Sequence, residues 1–282
     1  MTAKVFMVTG ATSGIGKALA TQLAQTGEIV ILVARDVDRG NAVVQEITQK
    51  TQNWNLDLQL CDLSNLSSVN NLASVVKLKY NTINLLINNA AVYKRQRQMT
   101  VDGYETMFAA NHLGPFLLTN LLRDALIGSG SGRILNITAP STTPLHFDDL
   151  QGERNFNSLN AFGATKMANL LFTFELARRL EGSNVTANAI HPGLARSQLM
   201  KEAFAPLRLL TWLLSSPPHK AAENILKLAT APEFEHVSGR FFHNDKEIEA
   251  PVYSRDRKNQ EMLWEISERL TDTSRIPSLT GS

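Results

Sequence analysis

Short apolar runs alternate along this chain with longer stretches in which apolar residues return every three or four positions. The runs Val5–Val8, Ile29–Ala34, Leu56–Leu60, Ile83–Asn88, Arg133–Thr138, Val185–Ile190 and Gly239–Phe242 predict strands. Several are apolar at consecutive positions, the pattern of strands buried on both faces of a sheet. Between them, helical periodicity predicts helices over roughly 15–26, 37–51, 65–79, 103–127, 160–181, 219–230 and 256–270. Strand and helix in turn give a parallel sheet with right-handed crossovers. The expected fold is a doubly wound α/β domain of Rossmann type, with about seven parallel strands and helices on both faces. No repeat, low-complexity tract or linker divides residues 1–282, so one domain is expected. Gly27 is placed to close the first helix. Asp62 or Ser64 is expected to cap the helix that begins near Asn65.

Composition narrows the function classes. With 282 residues, 43% of them hydrophobic, the chain can bury a substantial core. A formal charge of +2, without a run of five like charges, leaves no electrostatic footprint for nucleic acid. Cys61 is the only cysteine, so no intrachain disulfide can form and a reducing compartment, the cytoplasm, is expected. Met1-Thr2-Ala3-Lys4 leads directly into the first strand pattern, with neither a secretory core nor a transit segment. No apolar stretch is long enough to span a bilayer. His, Cys, Asp and Glu show no metal-ligand spacing, so no catalytic metal is expected.

The chemistry begins at Thr9-Gly10-Ala11-Thr12-Ser13-Gly14-Ile15-Gly16, which follows the first strand and opens the first helix. Gly10 permits a tight turn, Gly14 lets backbone approach a pyrophosphate, and Gly16 lets the helix pack close to the sheet. The helix N-terminus offers N–H groups and partial positive charge to the anion. After the second strand comes Arg35, where an enzyme for the non-phosphorylated dinucleotide carries an acid; Asp36 is one step beyond. Arg35 with Thr12 and Ser13 suits a 2′-phosphate, so NADP(H) is expected over NAD(H).

These segments resemble the short-chain dehydrogenase/reductase family, in its retinol dehydrogenase-like branch. The resemblance extends through Cys61-Asp62-Leu63, Asn88-Asn89-Ala90-Ala91-Val92, Asn111-His112-Leu113-Gly114, Arg133-Ile134-Leu135-Asn136-Ile137, Lys166 and His191-Pro192-Gly193. Asp148-Asp149-Leu150, Glu175–Leu180 and Leu263–Ser267 are similar to that branch in particular. The resemblance implies that Asp62 and Leu63 contact the adenine. It implies that Asn88, Asn89 and Ala90 line the cofactor cleft, and that Lys166 binds the nicotinamide ribose. Asn111 would interrupt its helix and hold a water in a proton relay. Pro192 and Gly193, followed by Ser197, would pass the nicotinamide carboxamide.

Two of the family's residues are missing. Phe162 stands at the tyrosine of the Tyr-x-x-x-Lys spacing, and Ala139 at the serine that orients the substrate oxygen. Neither can titrate or donate. Loss of a general acid costs about 10²–10⁴ in rate. Three readings follow: the proton comes from elsewhere; the chain holds the dinucleotide without redox turnover, as a sensor, scaffold or non-redox isomerase or cyclase; or Phe162 is an engineered replacement, which the second change at Ala139 disfavours. Tyr93, at the carboxyl edge of the sheet, is the leading replacement donor, with Ser141, Thr138 or a water on Lys166 as helpers; Tyr93 as a mere wall residue is the plainer alternative. The substrate is expected to be a hydrophobic carbonyl, imine or activated alkene. It would be walled by 140–157 and by a lid over 198–217. Segment 204–214, apolar but for Arg208, reads as lid, buried helix, or a partner- or membrane-contacting helix. The resemblance implies a homodimer or homotetramer built on the helices at 103–127 and 160–181.

Overall fold

A computed structural model describes residues 3–193 and 217–272. In chain order the elements are β1 (Val5–Thr9), α1 (Gly14–Ala24), β2 (Ile29–Ala34), α2 (Val37–Thr51), β3 (Leu56–Leu60), α3 (Leu66–Lys79) and β4 (Leu85–Asn88). There follow α4 (Thr106–Phe108), a π-helical segment (Ala109–Leu113), α5 (Gly114–Leu121), α6 (Arg123–Gly128), β5 (Arg133–Ile137), α7 (Ser158–Arg179) and β6 (Thr186–His191). The chain closes with α8 (Pro218–Thr230), β7 (Phe241–His243), β8 (Lys246–Glu247), α9 (Val252–Arg255) and α10 (Arg257–Thr271).

The strands form one sheet in the order β3-β2-β1-β4-β5-β6-β7-β8. The first seven in this order are parallel, as the apolar runs predict, and β8 adds a short antiparallel edge. Both faces are covered. Met7, Ile31, Leu86 and Ile134 point into one apolar layer with α3, α5 and α7, while Val8, Leu32, Ile87 and Ile190 point into the other with α1, α2 and α8. The strand order reverses between β1 and β4, so their carboxyl ends open the crevice where ligands bind in such sheets.

Three local expectations are corrected. The helix expected over 103–127 is broken: the π-helical segment interrupts it, and Leu122 separates α5 from α6. The Asn111 side chain inside that segment bonds to the backbone of Val92, which ties the widened turn to the end of β4. The cap of α3 is Asn65, which accepts from Ser68 N at 3.0 Å. Asp62 and Ser64 are instead engaged with each other, Asp62 Oδ1 accepting from Ser64 N and Oγ. Asn88 does not line a cleft: it is buried, donating to Thr119 Oγ1 (3.0 Å) and Asn136 Oδ1 (2.8 Å). Asn136 continues to Thr173 Oγ1, so a polar chain joins β4 and β5 to α5 and α7.

The C-terminal helix α10 crosses α7 and the π-helical segment. Trp264 packs edge-on to Phe116 (4.9 Å between centroids) and stacks on Phe172 (5.9 Å), with the Arg179 guanidinium 4.3 Å from its ring centre. Ser267 Oγ shares a 2.8 Å hydrogen bond with His112 Nε2. Burial pushes His112 down to about 3, so its imidazole stays neutral. Residues 114–120 of α5 and most of 165–177 of α7 are buried within the chain.

Candidate active site

Five elements meet at the carboxyl edge of the sheet: the loop between β1 and α1, the ends of β4, β5 and β6, and the N-terminal half of α7. The first is held by side chains the glycine pattern does not reveal. Thr9 Oγ1 accepts from Asn89 N (3.0 Å) and Ala90 N (3.1 Å), and Asn89 Nδ2 donates to Thr9 O (2.9 Å). These bonds fasten β1 to β4 beneath the loop. Gly10 and Gly14 have φ of 66° and 52°, conformations that suit glycine. A Cβ on Gly16 would lie 2.2 Å from Gly10 O, so only glycine lets α1 start so near the turn. Ile15 sits behind the loop, against the apolar layer of α1.

This cradle fits a dinucleotide pyrophosphate. Ser13 occupies the N-cap of α1 yet makes no side-chain cap bond. Lys17 N donates to Ser13 O, which leaves the amides of Gly14, Ile15 and Gly16 without intrahelical acceptors. Thr12 and Ser13 are half-buried at the rim. Beyond β2, Arg35 is exposed and has no ion-pair partner among the described residues. Asp36 turns away to cap α2, accepting from Arg39 N at 2.8 Å. Asp62 is exposed beyond β3, while Leu63 is buried, its carbonyl 2.2 Å from where a Cβ on Gly114 would stand. Pro192 is buried and Gly193 has a φ of 72°; Ser197 and nearly all of the expected lid, including 204–214, lie outside the described residues.

The reacting side of the cleft centres on α7, capped by Asn157, whose side chain accepts from Leu159 N and Asn160 N. Lys166 is only 8% exposed. Its ammonium stands 5.2 Å from the Phe162 ring centre and makes no hydrogen bond among the described residues. Burial pushes this amine down to about 8, because the charged form loses its hydration. Phe162 has Tyr93 edge-on at 5.8 Å, and Val92, Met107, Phe156 and Ala161 complete an apolar cluster.

The hydroxyls that stand as replacements go different ways. Tyr93 OH pairs with Ser158 Oγ at 2.9 Å, at the very start of α7. Thr138 Oγ1 donates to Lys166 O at 2.7 Å, tying the end of β5 to α7. Ser141 Oγ accepts from Thr143 N at 3.2 Å. A Cβ on Gly163 would stand 3.3 Å from Ser141 Oγ and 2.5 Å from Thr143 Oγ1. The loop after β5 therefore presses its hydroxyls against α7 one residue beyond Phe162, past the half-buried Ala139. Asn111 is fully engaged: Oδ1 accepts from Val92 N (2.7 Å), and Nδ2 donates to Val92 O (2.9 Å) and Thr165 Oγ1 (3.2 Å). Its carboxamide fixes the chain below Tyr93.

From the sequence His191 is expected to pack near the end of a strand and not to act as a base; the structure puts it at the end of β6 and adds a partner the sequence does not show. His191 and His243 pair in register at the ends of β6 and β7, their rings stacked at 5.0 Å and 26°. The signal was present at alternate positions: Ala189 and Phe241, two residues earlier in each strand, pack against α7. No group of three or more His, Cys, Asp or Glu that could hold a metal occurs among the described residues.

Comparison with known proteins gives one answer. Residues 4–207 match a family profile described as short chain dehydrogenase. The chain is 39% identical to retinol dehydrogenase 12 of Mus musculus over 270 residues, covering 94% of this chain and 85% of that one. It is 38% identical to retinol dehydrogenase 13 of Homo sapiens, covering 95% and 84%. Among solved structures, an uncharacterised protein from Mycobacterium paratuberculosis superposes with a TM-score of 0.77 at 29% identity, covering 97% and 95%. A metagenomic short-chain oxidoreductase in complex with NADP gives 0.64 at 25% identity, covering 88% and 97%.

Proposed function

The chain belongs to the short-chain dehydrogenase/reductase family, in the branch of its retinol dehydrogenase relatives, and from that premise we propose that it is an NADP(H)-dependent reductase of hydrophobic carbonyls, imines or activated alkenes in which Lys166 is the general acid. The observation that carries this reading is the Lys166 ammonium, buried, free of hydrogen bonds among the described residues and held over the Phe162 ring.

The amides that open α1 would hold the pyrophosphate, and Arg35 the 2′-phosphate. Preference for NADP(H) is supported by Arg35 being exposed at the right place while Asp36 is spent as a helix cap. The structural relative that holds NADP points the same way. The nicotinamide, when bound, supplies a hydride.

The protein's part is the proton. An acid works best when its pKa lies near the working pH. Lys166 at about 8 meets that condition, whereas an unperturbed lysine near 10.4 holds its proton too tightly. The ammonium is the donating form, so reduction is supported below pH ~8 and fades as pH rises through it. Tyr93 is less suited, with its hydroxyl already paired to Ser158. Ser141 would hold the substrate oxygen where Ala139 cannot; the position of its hydroxyl against Gly163, one residue beyond Phe162, supports this. Val92, Tyr93, Phe156 and Phe162 give the cleft an apolar wall, which favours a greasy substrate.

NADPH titration with a panel of apolar aldehydes, ketones and enones tests this. The expected result is tight NADPH binding with substrate-dependent oxidation that Lys166→Met abolishes. Tight binding without oxidation across the panel would leave a dinucleotide-binding protein without turnover.

A further inference from the structure

We propose that Lys166 also captures carbonyl compounds covalently: in the chain without dinucleotide its amine forms a reversible imine with apolar aldehydes. This takes from the reductase reading above only the class of aldehyde, and it needs no hydride transfer.

Lys166 is the one buried lysine among the described residues. Its amine makes no hydrogen bond or ion pair there, yet the nitrogen keeps open surface, unlike Trp264 Nε1, which is unpaired and sealed. The helix that carries it is pinned on both sides. Thr138 Oγ1 holds the Lys166 carbonyl at 2.7 Å. Asn111 Nδ2 donates to Thr165 Oγ1, which in turn donates to Phe162 O at 2.8 Å. The Phe162 ring lies 5.2 Å from the nitrogen, and Tyr93, Val92, Met107 and Phe156 continue from that ring as an apolar surface. A reachable, unpaired amine at the end of a greasy wall suits an aldehyde with a hydrocarbon tail. The tail packs on the wall while the carbonyl meets the nitrogen.

The amine is suited to attack. A lysine becomes nucleophilic when its neutral form is populated, and desolvation among apolar side chains achieves this. Burial pushes Lys166 down to about 8. About a tenth of it is then neutral at pH 7, against fewer than about one in a thousand for a lysine in water. The step balances without a cofactor. The nitrogen lone pair adds to the aldehyde carbon, and the carbinolamine then loses its hydroxyl. Both amine hydrogens leave with the carbonyl oxygen as water, and a C=N bond replaces C=O. Carbon and nitrogen keep their oxidation states. The imine, once protonated, carries its charge beside the Phe162 ring as the ammonium did. Addition of water reverses the sequence.

Reductive trapping tests the capture. The chain without dinucleotide is incubated at pH 7 with decanal and cyanoborohydride, which supplies the hydride that turns an imine into a stable secondary amine. Peptide mass spectrometry then locates the decyl groups. Lys166 should carry about tenfold more than any exposed lysine, and about tenfold more than the chain's own α-amine, whose basicity in water is similar. Glyceraldehyde, which lacks an apolar tail, should erase the preference over the α-amine. Lys166→Met should lose this adduct and keep the others; if that variant does not fold, the map of the parent chain still decides. Decyl groups without an excess at Lys166 overturn the proposal, and an equal excess with glyceraldehyde overturns the apolar class. NADPH oxidation is measured separately. An adduct without turnover sinks the reductase reading alone, and turnover without an adduct sinks the capture alone.

Discussion

Restoring the phenol at position 162 is the most direct probe of the cleft. In Phe162→Tyr the ring keeps its place beside Tyr93 and below Lys166. With Lys166 Nζ 5.2 Å from the ring centre, a para hydroxyl would stand about 6 Å from the ammonium if that charge lies over the ring face. At an effective dielectric of about 20, two unit charges so separated interact by roughly 3 kcal/mol. That is about two pKa units, enough to bring a phenol from ~10 to ~8. A phenol so tuned matches the working pH as well as the amine does and frees Lys166 to serve the ribose, so turnover should rise, at most by the 10²–10⁴ or so that a general acid contributes against none. Ala139→Ser in the same chain adds an oxyanion donor worth ~10²–10³ alone, with less than the product expected for the pair. The assay is loss of reduced-nicotinamide absorbance with an apolar aldehyde, and the reverse reaction with the alcohol. If the double variant folds, binds NADPH and shows no gain in either direction, Phe162 is not at the reacting centre and the placement of the site is wrong.

Other outcomes follow from single residues. Turnover should fall as pH rises through about 8, the point to which burial pushes Lys166; a rate still climbing well above that value would exclude Lys166 as acid. Lys166→Met should abolish turnover yet stabilise the fold in urea by roughly 1–3 kcal/mol at neutral pH. The sign is fixed by linkage: between about 8 and the ordinary lysine range the unfolded chain binds more proton, so the parent gains stability with rising pH and the variant's advantage shrinks. Arg35→Ser should weaken NADPH binding about tenfold or more, leaving NADH binding little changed; equal losses for both would place Arg35 outside the 2′-phosphate site. Trp264→Ala should cost about 3–5 kcal/mol in denaturant unfolding, because it removes the ring that joins Phe116, Phe172 and Arg179.

Much of this was legible in the chain itself. The apolar runs located the parallel strands because strands buried on both faces have to be apolar at consecutive positions. The glycines announced the cradle, since Gly16 has no room for a Cβ and Gly10 and Gly14 take positive φ. What stayed hidden depends on partners remote in sequence. Asp62 looks as good a cap as Asn65 until the fold turns it onto Ser64. Asn88 looks like a cleft residue until β5 and α5 close over it. Tyr93 is a plausible acid from its position, and only the packing of α7 brings Ser158 to its hydroxyl. The imidazole pair needs the register of β6 with β7, and Gly239–Phe242 as a strand ended one residue short of His243.

The C-terminal helix has a consequence for how this molecule behaves on dilution. In an obligate assembly the greasy faces of the central helices are shielded only while another subunit is present, so robustness rises and falls with concentration. Here Trp264 and Ser267, tethered by their own backbone, shield Phe116, Phe172 and His112. That shield is supplied at a fixed effective concentration, so the cover over Phe116, Phe172 and His112 does not thin on dilution.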